Sequence, residues 1–259
     1  GLDYARHAKG WNGRGIDPGG IAGLGEQMLG VTIERRYLGD DEPELAGACD
    51  VVMASETIEH VTSPSTFVRV LRNVLRPGGI LILTTPDAAG LNRATPTSLL
   101  IGLLSPGLHL IFQTRESMER LLRDAGFAHV VVDKDGHSLV AFASDSPIVL
   151  QQDHAAIRAE YRNYLERRAL DFQPGDEMYL GFAARAMTEA ANDGMFEQAV
   201  RARGCVERAC LDRFGARLRT LGERVEKRPP MSVERMVDTA PLALGGLLYA
   251  DAMLRLGTA

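Results

Sequence analysis

The residue order predicts an α/β protein: a largely parallel sheet with helices on its faces, a terminal antiparallel hairpin, and an all-helical C-terminal domain. Three observations carry this. Short apolar runs alternate with helix-spaced segments through residue 145, the pattern of parallel strands joined by helical crossovers. Two apolar runs flank Lys134-Asp135-Gly136-His137, and Asp-Gly is a hairpin turn signal. After Ser144 the strand signals vanish and helical spacing continues between breaker joints. The expected domains are residues 1–145 and 146–259.

Each element has a local reason. Leu2 to His7 reads as a helix, and Gly13 to Pro18 as a short strand ending in Asp17 and a breaker. Ile21 to Leu29 can form a short helix, weakened by Gly23 and Gly25, and Val31 to Leu38 has strand character. Cys49 to Ser55 is nearly continuous apolar sequence, which suits a strand buried on both faces. Phe67, Val68, Leu71, Val74 and Leu75 have helical spacing after Pro64, and Arg76-Pro77-Gly78-Gly79 stops that helix. Ile80 to Thr85 is a second buried strand, closed by Pro86. Thr114 caps an amphipathic helix that Gly126 ends, and the hairpin arms are Ala128–Asp133 and Ser138–Ala143. Ala88 to Gln113 lacks periodicity; so long a connection suits a lid over a site. Helical patterns follow at Val149–Ala169, Glu177–Asn192, Phe196–Arg213 (continuing to Glu226 past a break at Gly215) and Met231–Leu256.

Composition excludes several classes. The 259 residues are 45% hydrophobic and 24% charged, too apolar for a disordered chain. Three cysteines, Cys49, Cys205 and Cys210, make no disulfide scaffold and point to a reducing, cytoplasmic setting. No run reaches the ~18 uncharged apolar residues of a membrane span. A net charge of −5 argues against a nucleic-acid surface. Arg158, Arg162, Arg167 and Arg168 read as a solvated helix face, and Cys205 and Cys210 as core.

In an open parallel sheet, ligands bind beyond the carboxyl ends of the strands. The residues there are Asp17-Pro18, Gly39-Asp40-Asp41, Ser55-Glu56 and Thr85-Pro86-Asp87. A carboxylate after an early strand suits a ribose, because it accepts from both hydroxyls. The plain alternative is that strand ends are solvated and acidic by chance. If a helix starts after Ser55, Glu56, Glu59 and His60 share one face at i, i+3 and i+4. Two carboxylates and an imidazole on one face can bind Mg²⁺, Mn²⁺ or Zn²⁺, with His109 of the lid-like segment as a fourth ligand. Equally, His60 can act as a general base without metal, or pack as a structural residue.

The run from Cys49 to Val61 resembles class I S-adenosylmethionine-dependent methyltransferases. Phe67 to Asp87, with Arg76-Pro77-Gly78-Gly79 at its centre, continues the likeness, and Thr114 to Phe127 is similar to the helix before that family's closing hairpin. The resemblance covers about residues 1–144 and is nearest to ubiquinone-type and sugar or glycan methyltransferases. It implies a Rossmann-like methyltransferase sheet and S-adenosylmethionine as cofactor. By resemblance, Asp17 matches the acid that holds the ribose hydroxyls, Asp40 the acid facing the adenine amino group with Asp41 beside it, and Ser55 and Glu56 lie under the methionine part. His60, Glu59 and His109 are the expected catalytic residues. The Glu56–His60 set is similar to the metal site of small-RNA 2′-O-methyltransferases and some quinone O-methyltransferases; no metal ligands are assigned.

The family's first strand and glycine loop are not among these residues, and Leu2–His7 reads like the helix after that loop. The expectation is a truncated record of a longer chain; a non-catalytic scaffold derived from a methyltransferase is the alternative. The expected acceptor is a small polar molecule, first a sugar or glycan hydroxyl or amine, second a phenol or quinone. Nucleic acid is not expected as a partner, and a homodimer is left open.

Overall fold

The computed structural model describes residues 1–39, 41–151, 153–227, 236 and 238–257. They form two compact units: Gly1–Arg36 with Gln151–Ala259, and Tyr37–Leu150. The change of pattern near residue 145 thus lies close to the C-terminal edge of the second unit, while the first 36 residues group with the helical part.

The Tyr37–Leu150 unit is built on a four-stranded sheet of order β3-β4-β6-β5, where β3 is Cys49–Ser55, β4 Leu75–Pro86, β5 His129–Asp135 and β6 Ser138–Ser144. β3 and β4 are parallel, and the β5–β6 hairpin is antiparallel to β4 and closes at Gly136, whose φ of 59° needs no Cβ penalty. Ser63 caps α3 (Pro64–Val74), accepting from the Thr66 N–H. The chain then enters β4 directly. Pairing jumps from Cys49↔Leu75 to Val51↔Ile80, so Arg76–Gly79 loops out of the ladder instead of ending the helix outside the strand. Gly79 is required there: a Cβ would lie 3.0 Å from the carbonyls of Asp50 and Arg76. Thr114 and Ser117 form a capping box at the start of α5 (Arg115–Asp124). Val68, Leu71, Leu81, Leu83, Met118, Leu122, Val132 and Leu139 make the core, each stabilising by about 1.5–3 kcal/mol.

Two expectations for this unit need correction. β3 is not buried on both faces. It is an edge strand with no fully buried residue, and Met53 is exposed. The stretch without periodicity contains a helix, α4 (Thr97–Leu104), after a 3₁₀ turn at Ala88–Gly90. Its TSLLIGLL sequence is apolar all round, so no face repeats.

The other unit holds α1 (Leu2–Lys9), β1 (Arg14–Ile16), α2 (Gly20–Leu29) and β2 (Thr32–Glu34), with β1 and β2 a parallel pair. Its helices continue as α6 (His154–Ala169), α7 (Glu177–Asn192), α8 (Phe196–Phe214), α9 (Leu218–Glu226) and α10 (Leu244–Gly257). Gly215, at φ 62°, separates α8 from α9. The expected start of the last helix at Met231 lies outside the described residues. Leu180, Met187, Val206, Cys210, Leu218, Leu221 and Leu247 form the core. Cys210 is buried, which pushes its thiol up to about 11, but Cys205 is exposed and not core.

The basic face of α6 is not simply solvated. Arg162 is buried against Asp193, which Arg158 also meets at 2.9 Å. Arg168 is buried and donates to both oxygens of Asp3 on α1 at 3.1–3.2 Å, while its guanidinium lies 4.7 Å over the Phe172 ring. The Tyr164 hydroxyl donates to the same carboxylate, and burial together with that bond pushes its pKa above the ordinary value. A buried charge must find partners, and in α6 it finds them far along the chain.

Candidate active site

β3 ends at Ser55, whose hydroxyl hydrogen-bonds that of Thr84 on β4 at 2.7 Å. Glu56 then turns sharply with φ 48°, a left-handed backbone that costs a non-glycine residue about 1–3 kcal/mol. Its N–H donates to the Thr84 carbonyl at 2.9 Å, which helps hold the turn. No helix follows. Ile58–His60 is a single 3₁₀ turn, so the helical face expected for Glu56, Glu59 and His60 does not form.

Two of those side chains meet nonetheless, joined by His109 from the segment after α4. Glu59, His60 and His109 each offer a ligand atom, and these atoms lie within 4.8 Å of one another. The return of the chain after α4 brings His109 in. The N–H groups of Leu110 and Ile111 donate to the Glu59 carbonyl at 2.7 and 3.3 Å. The His60 and His109 rings stack edge to face, 4.8 Å between centroids.

Glu59 is completely buried, and its Oε2 accepts from the buried Thr85 hydroxyl at 2.9 Å. Its Oε1 has no hydrogen-bond partner and lies 3.8 Å from His60 Nε2. His60 Nδ1 donates to the Leu108 carbonyl at 3.1 Å, and His109 Nδ1 to the Leu103 carbonyl at 2.8 Å. A carbonyl only accepts, so in each neutral ring the proton sits on Nδ1 and the lone pair on Nε2. This is the outer support that metal-ligating or proton-accepting histidines need. Partial burial raises the pKa of the nearby Glu56 carboxyl above its ordinary value. A bond from Thr84 opposes that shift, the Glu59 charge adds to it, and His109 and His60 offset it.

The other expected site residues are placed separately. Asp17, at the end of β1 in the other unit, is exposed and accepts from the Gly19 N–H at 2.7 Å. A Cβ on Gly19 would come within 2.9 Å of that Asp17 oxygen, so the glycine clears room for the carboxylate. An exposed carboxylate at a strand end is the acceptor type that a ribose diol requires. Asp41 is exposed, and Asp40 lies outside the described residues. Asp87 at the end of β4 is structural: it accepts from the Ala89 N–H at 2.9 Å and pairs with Lys134 at 3.1 Å. Thr85, part of the Thr85-Pro86-Asp87 strand end singled out in the sequence, turns out to hold Glu59. Its signal was the strand period, since Leu81, Leu83 and Thr85 alternate on one fully buried face.

The model of a family described as "Methyltransferase domain" matches residues 2–132, half of the chain. The chain belongs to the class I S-adenosylmethionine-dependent methyltransferases. The ubiquinone biosynthesis O-methyltransferase of Pseudomonas aeruginosa (strain UCBPP-PA14) is 32% identical over 90 residues, covering 32% of this chain and 39% of that protein. The mitochondrial ubiquinone biosynthesis O-methyltransferase of Homo sapiens is 31% identical over 110 residues, covering 40% of this chain and 30% of that protein. The chain thus spans well under half the length of these curated relatives. A solved S-adenosylmethionine-dependent methyltransferase from Thermotoga maritima is 17% identical, with 51% of this chain and 72% of that one covered at a TM-score of 0.43. Among the described residues of this methyltransferase, no helix is long and apolar enough to cross a membrane.

Proposed function

We propose that this methyltransferase transfers a methyl group from S-adenosylmethionine to a hydroxyl oxygen of a small acceptor placed at Glu59, His60 and His109. One observation carries the reading: a completely buried carboxylate with one oxygen unpartnered, facing an imidazole whose other nitrogen is tied to a carbonyl. When bound, the cofactor supplies an electrophilic methyl group on a sulfonium. Asp17 would accept from its ribose hydroxyls, with Asp40 and Asp41 toward the adenine and Ser55 and Glu56 under the methionine part. His60 takes the acceptor's proton at Nε2, and the Glu59 charge stabilises the imidazolium that forms. His109 orients the acceptor beside it.

The unpartnered Glu59 oxygen also favours a second reading, in which Glu59, His60 and His109 hold a divalent cation. The donor set of one carboxylate oxygen and two imidazole nitrogens fits Zn²⁺ or Mn²⁺. When bound, the ion would supply the positive charge that acidifies the acceptor hydroxyl. The names of the relatives support a phenolic acceptor of the ubiquinone-precursor type. Nothing in the structure favours the sugar or glycan hydroxyl or amine expected first.

The test is transfer of a labelled methyl group to a catechol, compared with a sugar panel, before and after chelation. His60→Ala should lower the rate about 10²- to 10⁴-fold while calorimetric binding of S-adenosylhomocysteine persists. Loss of activity on chelation, restored by Zn²⁺ or Mn²⁺, selects the metal reading. Absence of both binding and transfer would leave a scaffold.

A further inference from the structure

The joint between α6 and α7 opens a concave surface within the unit of Gly1–Arg36 and Gln151–Ala259. The chain turns there at Gly175, whose φ of 97° favours glycine and whose carbonyl accepts from Arg213 Nη1 at 2.5 Å. The result is an open cavity of about 590 Å³, within the size range of small-molecule sites. Met28 near the end of α2, Phe172 and Met178 give it apolar walls. The Phe172 wall is fixed: its ring stacks on that of Phe182 at 5.9 Å and carries the Arg168 guanidinium 4.7 Å away. The cavity is not the place expected for the cofactor ribose, because Asp17 precedes α2 and Met28 lies at its far end, about 15 Å of helix away.

Three carboxylates and one guanidinium share this space: Asp176, Glu177, Asp212 and Arg213. Arg213 is spent on the Gly175 carbonyl and on Glu177, whose Oε1 lies 2.9 Å from Nη1. Glu177 is only 11% exposed; its Oε2 accepts from the Leu242 N–H at 2.9 Å, while its Oε1 has no aligned hydrogen-bond donor and stands open to one. Asp176 and Asp212 are exposed and form no ion pair among the described residues; Asp176 accepts only the Gln173 N–H, at 3.2 Å. Two negative charges are thus left over beside apolar walls. A small anion meets the wrong sign of charge, and the positive end of α7 is already met by Asp176 and Glu177. A metal ion fits no better. The three carboxylates do not close on one another within 4.8 Å, as the ligand atoms of Glu59, His60 and His109 do.

We propose that this cavity binds an aliphatic diamine or polyamine, its methylenes against Met28, Phe172 and Met178 and its ammonium groups at Asp176 and Asp212. Cations spaced along a hydrocarbon stem match carboxylates spaced along an apolar wall. Each ammonium gains a charge-assisted hydrogen bond that the chain itself does not supply to these two aspartates. Glu177 has a supporting part: by holding Arg213 it keeps that cation from neutralising the pair. The binding does not depend on methyl transfer and stands apart from the proposed function.

The test is titration calorimetry of the full chain with spermidine, beside putrescine, the uncharged diol analogue of putrescine, and Mg²⁺. Spermidine should bind at roughly 10–100 μM and putrescine more weakly, while the diol and Mg²⁺ should give no binding heat. Asp212→Asn should weaken spermidine about tenfold, and Asp176→Asn, which keeps a good helix-capping residue, by a similar factor. Glu197→Gln, at a 97% exposed carboxylate of α8, should bind like the parent, which separates a site from diffuse attraction to a chain of net charge −5. Circular dichroism checks the fold of each variant; where one unfolds, Met28→Lys replaces it and should abolish binding by placing a cation in the cavity. No heat with spermidine up to about 1 mM, unchanged affinity in Asp212→Asn, or an equal loss in Glu197→Gln each overturns the proposal. So does Mg²⁺ that displaces spermidine at equal concentration, or a lysine-rich peptide that binds more than about tenfold tighter, because these assign the cavity to a metal ion or to a protein partner.

Discussion

Each unit of the molecule buries a carboxylate, and the two are treated in opposite ways. Asp3 of α1 is saturated: Arg168 donates to both oxygens, Tyr164 donates to one, and His7 lies 3.7 Å away. Glu59 is buried more deeply, yet it receives one hydroxyl and leaves Oε1 without a partner. Burying a charge costs several kcal/mol unless partners compensate it. The first arrangement returns that cost within the fold. The second leaves one oxygen uncompensated, which is why the proposal places chemistry at Glu59 and architecture at Asp3.

Substitutions can break this contrast in order of expected effect. Glu59→Gln should lower methyl transfer by at least about a hundredfold while leaving the unfolding midpoint within about 1 kcal/mol of the parent, because an unsatisfied charge is removed. Urea denaturation beside the transfer assay checks both. A large stability loss with normal transfer would make Glu59 structural. Asp3→Ala should do the reverse, costing about 3 kcal/mol in denaturation because Arg168 and Tyr164 lose their shared acceptor and the guanidinium keeps Asp171 alone. Thr85→Val sharpens the comparison. It removes the bond that the Glu59 carboxylate receives, and should cost about 1.5–3 kcal/mol and also slow transfer. Glu56→Gly is the smallest. It relieves the φ 48° backbone and should raise stability by up to about 1 kcal/mol while lowering activity, the trade expected where strain serves a site.

The contrast also marks what was legible in the sequence. Local rules sufficed for the Asp-Gly hairpin, for α7 at Glu177–Asn192 and for the Thr114 cap, because each depends on neighbours a few residues apart. They failed for Arg162 and Arg168, whose periodicity reads as a wet face but whose partners are Asp193 and the distant Asp3. They failed for α4, where uniform apolarity erases the helical period. The proposed site trio comes together by a route that spacing does not show. Spacing suggested a helix face, whereas a 3₁₀ turn and a returning segment bring Glu59, His60 and His109 together.

The pairing of Asp3 with Arg168 has a consequence for biosynthesis. Gly1–Arg36 and Gln151–Ala259 form one compact unit, with Tyr4 and Ala8 packed against Tyr164, Leu165 and Ala186, and the whole Tyr37–Leu150 unit is encoded between them. On a ribosome adding about 5–20 residues per second, the α1 segment waits roughly ten seconds for its partners to be made. Meanwhile the intervening unit can fold, since its sheet and core are contiguous in sequence. During that interval Asp3 and Tyr4 lack Arg168, Tyr161 and Tyr164, their eventual neighbours, and depend on chaperones or on speed. Codon choice across the stretch that encodes Tyr37–Leu150 would therefore be expected to affect the yield of the helical unit more than that of the sheet.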